Sequence, residues 1–163
     1  MVASLSVSAQ QFQDHLAARS YSNQVVEMPA STRTSAEAAS AIGCAVAQIA
    51  KSIIFRSESD GSEYAVMVVA SGINRVDEKK ILTLIGNPVR KADADFVRQQ
   101  TGYTIGGVPP TGHARPVKIL IDEDLMQYDV LWAAAGTPFA VFQLTPAQLV
   151  EMTAGSVANT RVD

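Results

Sequence analysis

Cysteine is almost missing from this chain: Cys44 is the only one among 163 residues. An internal disulfide is therefore excluded. Histidine is nearly as scarce, with His15 and His113 alone. Zinc needs three or four convergent ligands, so no metal site is expected from so small a stock. No apolar run approaches the ~18 to 20 residues that cross a bilayer, so no membrane partner is expected. The start, "MVASLSVSAQQFQDHL", has no basic stretch followed by an apolar block and does not read as a secretory signal. A reducing, cytoplasmic home fits these absences. Excess positive charge is missing too: the net charge is -3. General coating of nucleic acid rests on many phosphate contacts, so DNA is not an expected partner. A local basic face stays open. Common motifs also fail. No G-x-G-x-x-G follows a strand, no G-x-x-x-x-G-K-[ST] occurs, and no G-x-S-x-G elbow exists. No cofactor is expected.

What is present is ordinary globular material, 47% hydrophobic and 18% charged. The length predicts one domain over residues 1–163, large enough to bury a core without staples. Ser8 and Gln11 have capping-box spacing, which predicts a helix from about Ala9 to Ala18. "NQVVEMP" reads as a short strand. Thr34 and Glu37 open an Ala-rich helix that stops near Gly43. Two strands then flank Asp60-Gly61, a hairpin signal. Asp77 caps a helix that Gly86 ends, and "ADADFVRQQTG" reads as another. "VKILID", "VLWAAAG" and "FAVFQL" read as strands. Thr145, Pro146 and Gln148 then start the last helix. Strands and helices do not alternate steadily, which predicts an α+β fold with a mixed sheet rather than a doubly wound one.

Two features need a chemical reason. Residues 101–116, "TGYTIGGVPPTGHARP", hold four glycines and three prolines. Glycine lets backbone approach a ligand, and proline stiffens the path. Such a loop either presents N–H groups to a developing oxyanion or makes a demanding turn. Composition leaves both open. Lys51 sits in "QIAKSIIF", where alternation puts it on one face with Ile49, Ile53 and Phe55. It is either a snorkelling side chain or a placed cation for a phosphate or carboxylate. Cys44, at an apolar helix end, reads as an inert thiol. "IDEDLMQYD" reads as a solvated acidic turn and Trp132 as core.

These pieces together resemble a known family. "QIAKSIIF", "VASGINRVDEKKI", "RKADADFVRQQTGYTIGGVPPTGH" and "IDEDLMQYDVLWAAAGTPFAVFQLTPAQL" are similar to the YbaK/ProX family of freestanding aminoacyl-tRNA deacylases. That family is similar to the editing domain of bacterial prolyl-tRNA synthetase. The resemblance runs from about Thr34 to the C-terminus. It implies a mixed, curled, barrel-like central sheet flanked by helices. It also implies hydrolysis of the ester between a wrong, small amino acid and tRNA. Its partners would be the aminoacyl-tRNA acceptor end and, beyond it, an aminoacyl-tRNA synthetase. A noncatalytic module that binds a tRNA end or a synthetase is the alternative, and hydrolysis of another small acyl ester a third.

Carried over by position, Lys51 matches the lysine that anchors the tRNA 3′ end. Gly106, Gly107 and His113 match the loop around the scissile carbonyl. Val108, Pro109, Pro110, Thr111 and Gly112 complete that loop, while Ala134, Ala135 and Gly136 match the late turn that walls the site. Tyr21 is a further candidate wall. Arg75, Lys79, Lys80, Arg90 and Lys91 are the candidate basic rim for tRNA, with Arg98, Arg115 and Lys118 behind them. Ala134 and Val141 stand where some members carry a serine and an acid. That departure weighs against a cysteine-specific pocket.

Overall fold

The computed structural model describes residues 4–163. Its elements are α1 (Val7–Ala18), β1 (Val25–Glu27), α2 (Ser35–Ile42), β2 (Ile49–Ser59) and β3 (Ser62–Ser71). There follow α3 (Glu78–Ile85), β4 (Val89–Lys91), α4 (Ala94–Thr101), β5 (Val117–Asp122) and β6 (Leu131–Ala134). The chain ends with β7 (Ala140–Leu144), α5 (Pro146–Thr153) and β8 (Ser156–Ala158). The α+β expectation holds.

Capping chemistry decides where most helices begin. Thr34, Asp77, Asp93 and Thr145 each accept a backbone N–H of the first turn. Each satisfies a donor the helix itself cannot use. Helix α1 departs from expectation: it starts at Val7, behind Ser6, and Ser8 lies inside it. The Ser8–Gln11 capping box therefore does not form. At the β2–β3 turn, Asp60 and Gly61 both have positive φ, 52° and 78°. That is the twist a two-residue hairpin needs.

The strands run in the order β1-β7-β6-β2-β3-β5-β8, with β4 added to β2. Pairing is mixed: β2–β3 is antiparallel, while β2–β6, β3–β5 and β5–β8 are parallel. The sheet is open, with β1 and β8 as its ends, so the barrel-like shape implied by the resemblance is not closed. Strands β4 and β8 went unread in the sequence because three residues carry no periodicity.

Alternation along β2 separates the two faces. Ala50 and Ile54 join the main core with Phe12, Leu16, Met67 and Phe142. Ile49 packs beneath Ala38 and Ala39 of α2, and Phe55 packs with Val66, Val68 and Ile81. Each fully buried large side chain contributes about 1.5–3 kcal/mol of transfer free energy. The small alanines of α2 let its helix lie close on the sheet.

One feature of β2 positions the site. Its free edge is shared by two short strands, β6 at Ile49–Ala50 and β4 at Phe55–Ser57. Between them the edge at residues 51–54 has no strand partner. The Gly/Pro loop crosses this gap.

Candidate functional site

A cavity of about 70 Å³ opens at the gap in the sheet. Lys51, Ser52, Gly106, Val108, Trp132 and Val141 line it, with Ala134 and Arg33 at its rim. The N-terminal turn of α2, at Thr34, Ser35 and Ala38, closes another side. Lys51 and the Gly/Pro loop are 55 positions apart in sequence at Lys51 and Gly106. The fold brings them to one place.

Lys51 is half-buried and makes no ion pair among the described residues. Burial lowers its pKa from 10.5, and the more distant Asp122 carboxylate partly opposes that shift. An ammonium without a carboxylate partner, on a partly desolvated strand, is poised to pair with an anion brought by a ligand. Arg33 adds a second cation. Its stem lies against Gly106, where a Cβ would stand 2.6 Å from Arg33 Cγ. Gly106 also has φ +89°, so glycine is required there on two counts.

The Gly/Pro loop divides into two parts with different jobs. Gly106 and Val108 face the cavity. Gly107 faces the other way, with its α-carbon against the backbone of Thr137; a Cβ there would meet Thr137 Cα at 2.7 Å. Its N–H donates to the Thr104 carbonyl at 3.0 Å, and its carbonyl accepts from Gly136 N–H at 2.9 Å. This N–H is therefore engaged within the loop. Pro109, Pro110 and Thr111 are buried behind the cavity. Thr111 donates to the Met152 carbonyl at 3.1 Å and accepts from Arg19 at 3.2 Å. Gly112 packs on the His15 ring.

His113 acts on the loop itself. Its Nε2 lies 2.7 Å from the Pro109 carbonyl oxygen. A carbonyl only accepts, so Nε2 carries the hydrogen. Burial lowers the His113 pKa, and the bond to Pro109 and the neighbouring His15 add smaller, opposed effects. His113 thus ties the loop together rather than lining the cavity.

The other predicted residues scatter. Ala135 and Gly136 are buried beside the cavity wall, and Tyr21 donates to Glu151 at 2.5 Å, outside the cavity. Lys80 is committed to the C-terminal segment: Nζ donates to the Arg161 carbonyl at 2.6 Å and to Asp163 at 2.9 Å. Arg90 reaches Glu63 at 3.4 Å. Arg75 and Lys79 are exposed. Lys91 is exposed at a neighbouring apolar cavity shared with Ile105, Gly106 and Val108.

Two readings change. Asp122 is not solvated but fully buried, accepting from Ser71 N–H at 3.0 Å, Asn74 at 2.8 Å and Asp124 N–H at 2.9 Å. It secures the end of β3 beside the site. Trp132 is only partly buried and forms a cavity wall. Cys44 is half-buried, and burial raises its thiol pKa, which keeps it unreactive. Sequence reasoning missed Arg33, Ser52 and α2 as site elements. The Thr34 cap was visible, but nothing in it tells that the helix start faces Lys51. Among the described residues no group of three His, Cys, Asp or Glu gathers to hold a metal. Among the described residues no helix is long and apolar enough to cross a membrane.

The aminoacyl-tRNA editing domain family matches residues 29–152, a span that includes every residue lining the cavity. The chain belongs to this family. It is 34% identical to the uncharacterized protein YwhH of Bacillus subtilis (strain 168), over 83% of this chain and 84% of that one. A crystal structure of a candidate trans-editing enzyme for prolyl tRNA synthetase superposes with TM-score 0.91 at 46% identity. That match covers 98% of this chain and all of the other. Part of the proline–tRNA ligase of Limosilactobacillus fermentum is 32% identical over 91 residues. This is 55% of the present chain but 16% of the ligase, so only a small part of the ligase is shared. Membership ties the chain to aminoacyl-tRNA editing.

Proposed function

We propose that this editing-domain protein is a trans-acting hydrolase that removes a small, wrong amino acid from tRNA. The observation that carries the reading is an unpaired, half-buried Lys51 beside a cavity of about 70 Å³. That volume has room for only a few water-sized groups. Trp132, Val141 and Val108 supply apolar walls for a short side chain, while Lys51 and Arg33 offer cations to the phosphate of the tRNA 3′ end. A second site of this kind answers a real limit. A synthetase pocket gains only about 1–3 kcal/mol against a substrate lacking one methylene.

The reaction is a simple hydrolysis. A water oxygen bonds to the ester carbon, and the carbon–oxygen bond to the ribose breaks. One water proton ends on the ribose oxygen; the acid loses the other to solvent. No carboxylate and no imidazole lines the cavity. The substrate's own ribose hydroxyl or amine, or a polar side chain of the cavity, assists the water, and positioning with electrostatic stabilisation supplies most of the rate. Lys51 is the anchoring cation, and the Gly106–Val108 stretch holds the aminoacyl group.

The test is a deacylation panel. The purified protein meets tRNAs charged with Ala, Ser, Thr, Cys and Pro, with Lys51→Ala beside it. Rapid release of one small amino acid is expected, with about a 100-fold loss in the variant. No release above the uncatalysed rate from any tRNA would overturn the hydrolase reading. Retained tRNA binding without cleavage would then identify a binding module.

A further inference from the structure

Ser52 carries an unusual set of polar groups without partners. Its Oγ is shut off from solvent and has no hydrogen-bond partner among the described residues. Leaving a buried hydroxyl unpaired costs about 1–3 kcal/mol. Native proteins keep few such groups, and each calls for a reason.

Its backbone is in the same situation. Along a strand, the N–H and C=O of one residue point to one side and those of the next residue to the other. The Ile49 carbonyl accepts from Gly72 N–H, on the β3 side. The Ile54 carbonyl accepts from Ala92 N–H, on the β4 side. Counting by twos from Ile54, Ser52 also points its N–H and C=O away from β3. That side is the gap: β6 stops pairing at Ala50 and β4 begins at Phe55. The loop at Gly106 and Val108 crosses there, yet makes no backbone bond to Ser52. Ser52 instead lines the Lys51 cavity and the apolar cavity on the other side of the loop.

What would a ligand place at this point? The cavity's charged side chains, Lys51 and Arg33, are both cations, and no acid lines it. The field favours a group that gains negative charge. A strand N–H and the hydroxyl of the same serine are close enough to donate to one acceptor. We propose that the Ser52 N–H and hydroxyl form the oxyanion site of the hydrolase, donating to the ester carbonyl oxygen as it takes up charge. This rests on the editing-hydrolase reading and deepens it. The hydroxyl has no hydrogen-bond partner, so rotation about χ1 toward the gap breaks no hydrogen bond. Charge builds only as water adds to the ester carbon, so the donors act on the transition state more than on the bound ester. On collapse the oxyanion's electron pair re-forms the C=O double bond, and the ribose oxygen leaves with the C–O bonding pair and takes up a proton. The Gly107 N–H, already committed to Thr104, is not available for this role.

The experiment compares Ser52→Ala and Ser52→Thr with the unaltered protein on whichever aminoacyl-tRNA the panel identifies. Single-turnover rates, tRNA binding and thermal stability are measured together. Ser52→Ala should lose about 100-fold in rate with binding unchanged. Its melting temperature should hold or rise, because an unpaired buried hydroxyl has been removed. Ser52→Thr keeps the hydroxyl and should retain most of the rate. An unaltered rate in Ser52→Ala, beside an active parent, would overturn the oxyanion assignment and leave the hydrolase intact. A fall in both rate and stability would overturn it too, since the hydroxyl would then be a structural partner. An inactive parent would overturn both readings.

Discussion

At the scale of a residue, Lys51 illustrates how burial becomes chemistry. Desolvation disfavours its ammonium and lowers its pKa below 10.5. The charged form is the one that would hold a phosphate. Activity should therefore be present on the acid side of the Lys51 pKa and fall as pH rises through it. The alkaline limb should come earlier than an ordinary lysine would give. Lys51→Arg keeps the charge at all accessible pH, because a guanidinium does not titrate there. We expect the variant to lose about 10-fold in kcat/KM from changed geometry, while its alkaline limb moves up or vanishes. Rates corrected for uncatalysed ester loss, measured against pH for both proteins, check this. An unmoved limb would mean that another group titrates.

At the scale of an element, the Gly/Pro loop works because its two ends are held differently. Gly106 and Val108 face the cavity, while Thr111 and Gly112 are fixed by Arg19, Met152 and His15. Gly107 joins the halves by seating directly on the Thr137 backbone, 2.7 Å from where a Cβ would lie. The neighbour is backbone and cannot swing aside. Gly107→Ala should cost about 1–3 kcal/mol by overpacking, read as a lower urea midpoint. It should also displace Val108 and lower the deacylation rate further than stability alone requires. A variant with normal stability and normal rate would show that the loop yields freely.

At the scale of the whole molecule, the question is how a chain of net charge -3 handles tRNA. On the proposed function, two cations at the cavity, Lys51 and Arg33, would hold one end of the molecule. Each phosphate neutralised on a single strand contributes about -0.7 to the slope of log affinity against log salt. Two contacts predict a slope of about -1.4. Binding titrations of a deacylated tRNA over a series of salt concentrations measure it. A slope steeper than about -4 would bring the outlying Arg75, Lys79, Arg90 and Lys91 into contact.

The sequence by itself determined the elements whose signals are local. The Asp60-Gly61 hairpin, the Thr34 and Thr145 caps and the apolar alternation of β2 each depend on neighbours within a few residues. It also marked Lys51 and the Gly/Pro loop as unusual, because a cation among the apolar neighbours of "QIAKSIIF" and a stiff, glycine-rich loop need reasons wherever they fall. Only the tertiary structure decided what those features do. Which half of the loop faces the cavity depends on Thr137 and Met152, distant in the chain. Whether Asp122 is solvated depends on Ser71 and Asn74, which no periodicity in "IDEDLMQYD" reveals. Ser52 looked like any small polar strand residue. Its polar groups stand unpaired only because β6 and β4 leave a gap between them, and strand pairing is a long-range contact that no local pattern encodes.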